Sequence, residues 1–188
     1  MSKAILLSIK PKYVADILNG KKTIEIRKTM PKCDLPIDVY IYCTKDKKHL
    51  VAPFHFIEGW KYKEYNDNTH YAGGWTSNMG NDINGKVVAK FTVRKVEAID
   101  IWQEDLEEKM KPACLSIKEF DDYSKGQVAY AYYIEDLVIF DEPKELSEFV
   151  HKVVIEHHTK GHIGYLVEER FEPLTKAPQN FCYVEAEE

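Results

Sequence analysis

Lys21, Lys22, Thr23, Glu25 and Arg27 put two ammonium groups, a hydroxyl, a carboxylate and a guanidinium within seven positions. Such a set can do two kinds of chemistry. Arginine and lysine hold phosphate, the first through a planar fork and the second as a point charge. A lysine beside a carboxylate can move protons when its surroundings bring the two pKa values toward neutrality. Lys10, Lys21, Lys22, Thr23, Glu25 and Arg27 are therefore candidate ligand-binding residues. Lys22, Glu25 and Thr23 are candidate catalytic residues. The alternative is that Lys22 and Glu25 form a cross-turn ion pair, which is worth little in solvent.

The elements that must position these groups are legible on either side. Ala4 to Ile9 is an apolar run that suits a buried strand. Pro11 then fits the first position of a helix, where its missing N–H has no intrahelical partner to lose. Val14, Ile17 and Leu18 recur at helical spacing, and Gly20 supplies the left-handed residue that ends a helix. From Thr23 the period becomes two. Ile24 and Ile26 point one way, and Thr23, Glu25 and Arg27 the other. The polar face is expected on the surface of that strand. The Gly20-Lys21-Lys22-Thr23 tetrad is not a phosphate-binding P-loop. That motif needs a second glycine five residues upstream, where Ala15 stands, and a helix downstream.

The opening run Leu7-Ser8-Ile9-Lys10-Pro11, a short helix, and then Gly20-Lys21-Lys22-Thr23-x-Glu25-x-Arg27 resembles the ASCH (activating signal cointegrator homology) family of the PUA-like superfamily. Two further stretches resemble its larger phage- or prophage-type members. They are Tyr133 to Ile139 with Pro143 to Leu146, and the tail Pro178 to Val184. The resemblance implies a small β-barrel with flanking helices and a cleft near the Gly20–Thr23 turn. It also implies binding of RNA or a nucleobase. Some members resemble amidohydrolases acting on a modified cytidine, and others are linked to RNA cleavage. In the amidohydrolase-like pattern the lysine position matches Lys22, and the threonine position falls on Glu25. A remote glutamate would fall near Lys111, with Glu107 and Glu108 one turn earlier.

Charge is unevenly spread. Residues 1–32 hold eight basic and two acidic residues, a net +6, on a chain whose total is −5. Lys45, Lys47 and Lys48 extend the basic stretch. A local basic patch on an acidic body attracts a polyanion to one place and repels it elsewhere. The 188 residues, 44% of them hydrophobic, suit one domain with insertions at about 44–84 and 151–172. No apolar run is long enough to span a bilayer, and the N-terminus lacks a signal-peptide core. A cytoplasmic location without membrane contact is the expectation. Cys33, Cys43, Cys114 and Cys182 are scattered with no Cys-x-x-Cys pair, so a structural zinc site is not expected. His157, His158 and His162 are the nearest approach to a metal cluster, but their spacing does not bring them to one face. Neither metal nor cofactor is expected.

Elsewhere, Asp38 to Cys43 reads as a strand with Val39, Ile41 and Cys43 on one face and Tyr40 and Tyr42 on the other. Residues 44–84 read as a long irregular excursion carrying Trp60, Tyr62, Tyr65, Tyr71 and Trp75. These could stack on bases or anchor a loop. Gly85 to Ile101 alternates as a strand bent near Lys95. Glu104 to Lys111 reads as helix. Leu115 to Tyr123 reads as a further helix, with Ser116 and Glu119 as a capping box and Gly126 as its end. Gln127 to Phe140 is strand-rich with a break at Glu135-Asp136. Residues 151–172 fit either a hairpin or a helix and strand.

The expected fold is α+β, a PUA-like mixed barrel of five to seven strands with flanking helices and a long aromatic-rich loop. The expected function is binding of RNA or a nucleotide-like ligand at the Lys22 turn. A small hydrolase using Lys22 and Glu25, on a modified nucleoside or RNA, is the second reading. A protein-interaction module docking an acidic partner is the third.

Overall fold

The computed structural model describes residues 3–56, 59–65, 83–158 and 165–185. In chain order it contains β1 (Lys3–Ile9), α1 (Pro11–Leu18), β2 (Ile24–Arg27), β3 (Ile37–Cys43), β4 (Leu50–Phe56) and β5 (Gly59–Tyr65). Then come β6 (Val87–Val93), β7 (Val96–Ile99), α2 (Leu106–Met110), α3 (Ile117–Ser124), β8 (Ala129–Tyr133) and β9 (Glu135–Lys144). A 3-10 turn at Leu146–Glu148 leads to β10 (Val150–His158), β11 (Tyr165–Pro173) and β12 (Phe181–Glu185). The fold is mostly β with few helices. No described helix is long and apolar enough to cross a membrane.

The principal sheet runs β12-β1-β3-β6-β9, with β1 parallel to β3 and the remaining pairs antiparallel. β1 is apolar on both faces because both faces are covered, as parallel strands require. Ile5, Leu7 and Ile9 join Val39, Ile41, Phe91 and Val93 in one core under α1. Ala4 and Leu6 join Tyr40, Tyr42, Phe149 and Val184 in another on the opposite face. The two-faced reading of β3 therefore holds.

A second sheet, β2-β8-β7, packs Ile24, Ile26, Ala129 and Ala131 against Leu106, Met110 and Phe120 of α2 and α3. β6 passes into β7 at Arg94-Lys95, and β8 into β9 at Ile134, so both strand pairs change sheet at a corner. The bend expected near Lys95 is this corner. Among the described residues the pairings leave the two sheets separate.

Two expectations need correction. Residues 50–56 and 59–65 are not irregular: they are β4 and β5, paired antiparallel as a hairpin. Asn19, just past the end of α1, fastens it by donating to the Tyr62 carbonyl at 2.7 Å and accepting from the Tyr62 N–H at 2.9 Å. A side-chain amide thus acts as the neighbouring strand. Tyr71 and Trp75 lie outside the described residues. The α3 helix has its Ser116–Glu119 box as expected, but its left-handed cap is Lys125 (φ 56°), with Gly126 (φ 70°) after it. Of residues 151–172, the described ones lie in β10 and β11, paired antiparallel as a hairpin.

Candidate ligand cleft

The turn after α1 is built from backbone hydrogen bonds. Gly20 (φ 70°) donates to Ile17 O, and the Lys21 and Lys22 N–H groups both donate to Asp16 O. Thr23 and Ile24 then donate together to Pro112 O at 2.8 and 3.1 Å. This pinning turns the Lys22 side chain inward and leaves Lys21 and Thr23 exposed.

β2 follows as a strand, with Glu25 and Arg27 on the face opposite Ile24 and Ile26. That face is not on the surface. Lys22 is 2% exposed, Glu25 6% and Arg27 7%. The N-terminal strand and the segment before β12 cover it, and neither contact is local in sequence.

Inside, Glu25 bridges two cations. Lys22 Nζ lies 3.3 Å from Oε2, and Arg27 Nη2 donates to Oε1 at 2.9 Å. Lys22 Nζ also donates to the Ala113 carbonyl at 2.6 Å and sits 5.1 Å from the centroid of the Tyr13 ring. Arg27 Nη2 donates to Ser8 O at 2.9 Å, and Nη1 to Asn180 Oδ1 at 3.1 Å. Asn180 passes the link on by donating from Nδ2 to Thr29 Oγ1 at 2.7 Å. Ser8 holds the same tail through Oγ to Pro178 O at 2.6 Å and N to Asn180 O at 3.1 Å. Burying three charges is costly unless each is paired and hydrogen-bonded, and here each is. One donor is left over: Arg27 Nε is buried with no partner among the described residues.

Lys22, Glu25 and Arg27 line a cleft of about 1610 Å³. Ser8, Lys10 and Tyr13 line it from β1 and α1, Tyr123 from α3, and residues 174–180 from the tail. The triad carries a net +1. The other acids of the wall are already engaged. Asp122 pairs with Lys118 at 2.6 Å, and Glu145 pairs with Lys86. Glu119 is held below the usual carboxylate range, first by the Ser116 N–H and then by its hydroxyl, and it also meets Lys12 at 3.5 Å. Lys10, Lys28, Lys45 and Lys176 also line the cleft, and among the described residues none of them is in an ion pair. Lys28 Nζ lies 4.9 Å from the Tyr123 ring centroid. Burial pushes the phenols of Tyr13 and Tyr123 up, so both stay neutral.

Of the residues singled out in the sequence, Lys10, Lys22, Glu25 and Arg27 meet at the cleft. Lys21 and Thr23 do not line it, and neither do Glu107, Glu108 and Lys111. The carboxylates that the later helices bring to the cleft are Glu119 and Asp122 of α3. Burial raises the Cys114 thiol, which keeps it from acting as a thiolate near the turn. Tyr13, the Ser8 and Ala113 carbonyls and Asn180 were not singled out. For Asn180 the signal was its place in the family-like tail Pro178 to Val184; the register of β12 against β1 (Leu7 opposite Phe181) then sets it beside Ser8. The side chain of His157 or His158, and all of His162, lie outside the described residues; among the described residues no cluster could hold a metal.

Comparison with known proteins supplies the lineage. No curated protein matches the chain. Among solved structures, a tyrosine-to-phenylalanine mutant of ASCH from Zymomonas mobilis is similar, with 18% identity over 77% of each chain and a TM-score of 0.51. Unmutated ASCH from the same organism shows 20% identity over 76% of this chain and 73% of its own, with a TM-score of 0.48. At such identity the likeness of the first speaks for the fold alone. The ASCH domain profile matches residues 7–160, which include the end of β1 from Leu7, the Lys22 turn, β2 and both sheet-changing corners. The chain belongs to the ASCH domain family.

Proposed function

We propose that this chain binds RNA, or a nucleotide-like ligand, in the cleft above the Lys22–Glu25–Arg27 triad. The observation that carries the reading is the wall of lysines with no acid partner among the described residues, around a buried cationic base, on a chain of net charge −5. An anion is the missing partner for such a wall. The cleft, about 1610 Å³, exceeds the roughly 300–1,000 Å³ usual for small-molecule sites, which favours several nucleotides over one. Tyr13 and Tyr123 offer faces for a base. In this reading the two sheets are the halves of a PUA-like barrel in a phage- or prophage-type member acting in the cytoplasm, and the triad shapes the floor beneath the ligand.

Hydrolysis is the second reading, favoured by one geometric fact. Glu25 lies 3.3 Å from Lys22 Nζ at the base of a concave site. Both groups are already committed, Glu25 to Arg27 and Lys22 to Ala113 O, and this favours a fixed scaffold over a proton shuttle.

Titration with short single-stranded RNAs and with free nucleotides, across a salt series, tests the first reading. Affinity for RNA should fall with salt with a slope of about −0.7 per neutralised phosphate. Lack of salt-dependent RNA binding contradicts it. Release of acetate from an acetylated cytidine, or cleavage of the RNA, reduced about a hundredfold or more by Lys22→Ala, would establish the hydrolase instead.

A further inference from the structure

The parallel pairing of β1 and β3 ends with Ile9 opposite Cys43, and the next residues stay together through Thr44 N–H to Ile9 O at 2.9 Å. Lys10 and Lys45 therefore leave the carboxyl ends of two adjacent parallel strands, side by side at one end of the sheet. Both line the cleft, both are exposed, and neither has an ion-pair partner among the described residues. The ends of two neighbouring strands thus each send a lysine to the wall of one cleft.

Lys45 is also held in place. Its stem lies on Gly85, where a Cβ would meet Cε at 2.8 Å and Cγ at 3.0 Å. The stem thus runs close over the bare Cα of this glycine, whose φ of 83° is one that residues with a side chain rarely adopt. The glycine is fixed by its N–H to Cys43 O at 2.7 Å. Asn84 fastens the loop that carries Lys45. It donates to Asp46 O and His49 O at 3.2 and 2.8 Å, and accepts from Val51 N at 3.0 Å. A solvated lysine gains nothing from such support, whereas a lysine that meets a ligand loses less entropy when its stem is already packed.

We propose that Lys10 and Lys45, with Gly85 beneath, form a phosphate site distinct from the Lys22–Glu25–Arg27 base. It takes a phosphate of the nucleic acid strand whose binding is proposed above, and on that reading it rests. The phosphate is either an internal diester or a terminal monoester. The same two ammonium groups serve both.

The test uses a five-nucleotide single-stranded RNA with a 5′-hydroxyl or a 5′-phosphate, titrated into wild type, Lys45→Met and Lys47→Met. Lys47 is exposed in the same loop and does not line the cleft. Lys45→Met should weaken binding by about tenfold or more, the worth of one charge-assisted hydrogen bond. It should also reduce the salt slope by about 0.7. Lys47→Met should do neither. An equal loss on both RNAs assigns an internal diester, and a loss confined to the 5′-phosphorylated strand assigns the terminus. If Lys45→Met behaves like Lys47→Met while RNA still binds, the site is overturned and the proposed function stands. Inorganic phosphate gives an arm independent of RNA. The amide resonances of Thr44, Lys45 and Gly85 should shift with phosphate in wild type and not in Lys45→Met. Absence of that shift in wild type overturns the site, whatever RNA does.

Discussion

The three-stranded sheet carries the same small constellation at both edges. At β2, Glu25 meets Lys22 and Arg27, with Tyr13 beside the lysine. At β7, Glu97 meets Lys95 at 2.7 Å and Lys109 at 3.4 Å and accepts from the Tyr133 hydroxyl at 2.6 Å, while Lys95 lies over the Tyr133 ring. Each has one carboxylate, two cations and a tyrosine. The surroundings differ. The Glu25 side chain is 8% exposed and the Glu97 side chain 29%. The β2 set lies beneath a second layer and floors a cleft, whereas the β7 set lines no part of it. Residue types alone therefore do not mark the site. What marks it is the burial of charge under a concave surface.

The largest expected difference is in stability. Glu25→Gln removes the acid that bridges two buried cations, and breaking a buried pair from one side costs about 3–5 kcal/mol. In a chain of this size that lowers Tm by roughly 10 °C. Glu97→Gln should cost about 1 kcal/mol or less, as exposed pairs do. Thermal unfolding of the two variants decides the matter, and equal losses would erase the distinction.

A smaller effect is in acid. Hydrogen bonds from Lys95 and then Tyr133 hold Glu97 down at about 2, below the ordinary value of 4.5. A carboxylate whose pKa falls on folding stabilises fully above its unfolded value. Solvent at this part-exposed site keeps that contribution to about 1 kcal/mol or less; it is complete above about pH 4.5 and is lost as pH falls toward 2. Between these limits wild type should lose stability more steeply than Glu97→Gln, as denaturant midpoints at each pH would show. Parallel curves would contradict the assignment.

The smallest effect is in salt. At about 1 M the screening length is about 3 Å, and buried pairs are screened least. The cost of Glu97→Gln should shrink toward zero at high salt, while that of Glu25→Gln should persist. Chemical denaturation with urea at two salt concentrations measures both.

Legibility in the sequence followed range. Pro11, Gly20 and the Ser116–Glu119 box act within one helical turn, and α1 and α3 stand where those residues put them. The two faces of β3 were readable because both alternating sets are apolar or aromatic. The strand of residues 24–27 was also readable, but its surroundings were not. Arg27 meets Asn180 across 153 residues and Lys22 meets Ala113 across 91, and no local rule reports such partners. The polar face of β2 thus read as surface, although it is interior. The β4–β5 hairpin was missed for another reason. Pro53 interrupts the run and Lys61, Lys63 and Glu64 dilute its apolar content, while its anchor is the Asn19 amide of a different element.

The central claim is that the cleft is where RNA binds, and a titration of the isotopically labelled chain with a short single-stranded RNA tests it without any substitution. The account predicts that amide resonances of residues 8–10, 26–29 and 174–180 move together and saturate at one affinity. Shifts that leave those segments unmoved and gather instead on the β10–β11 hairpin or around exposed Trp102 would contradict it.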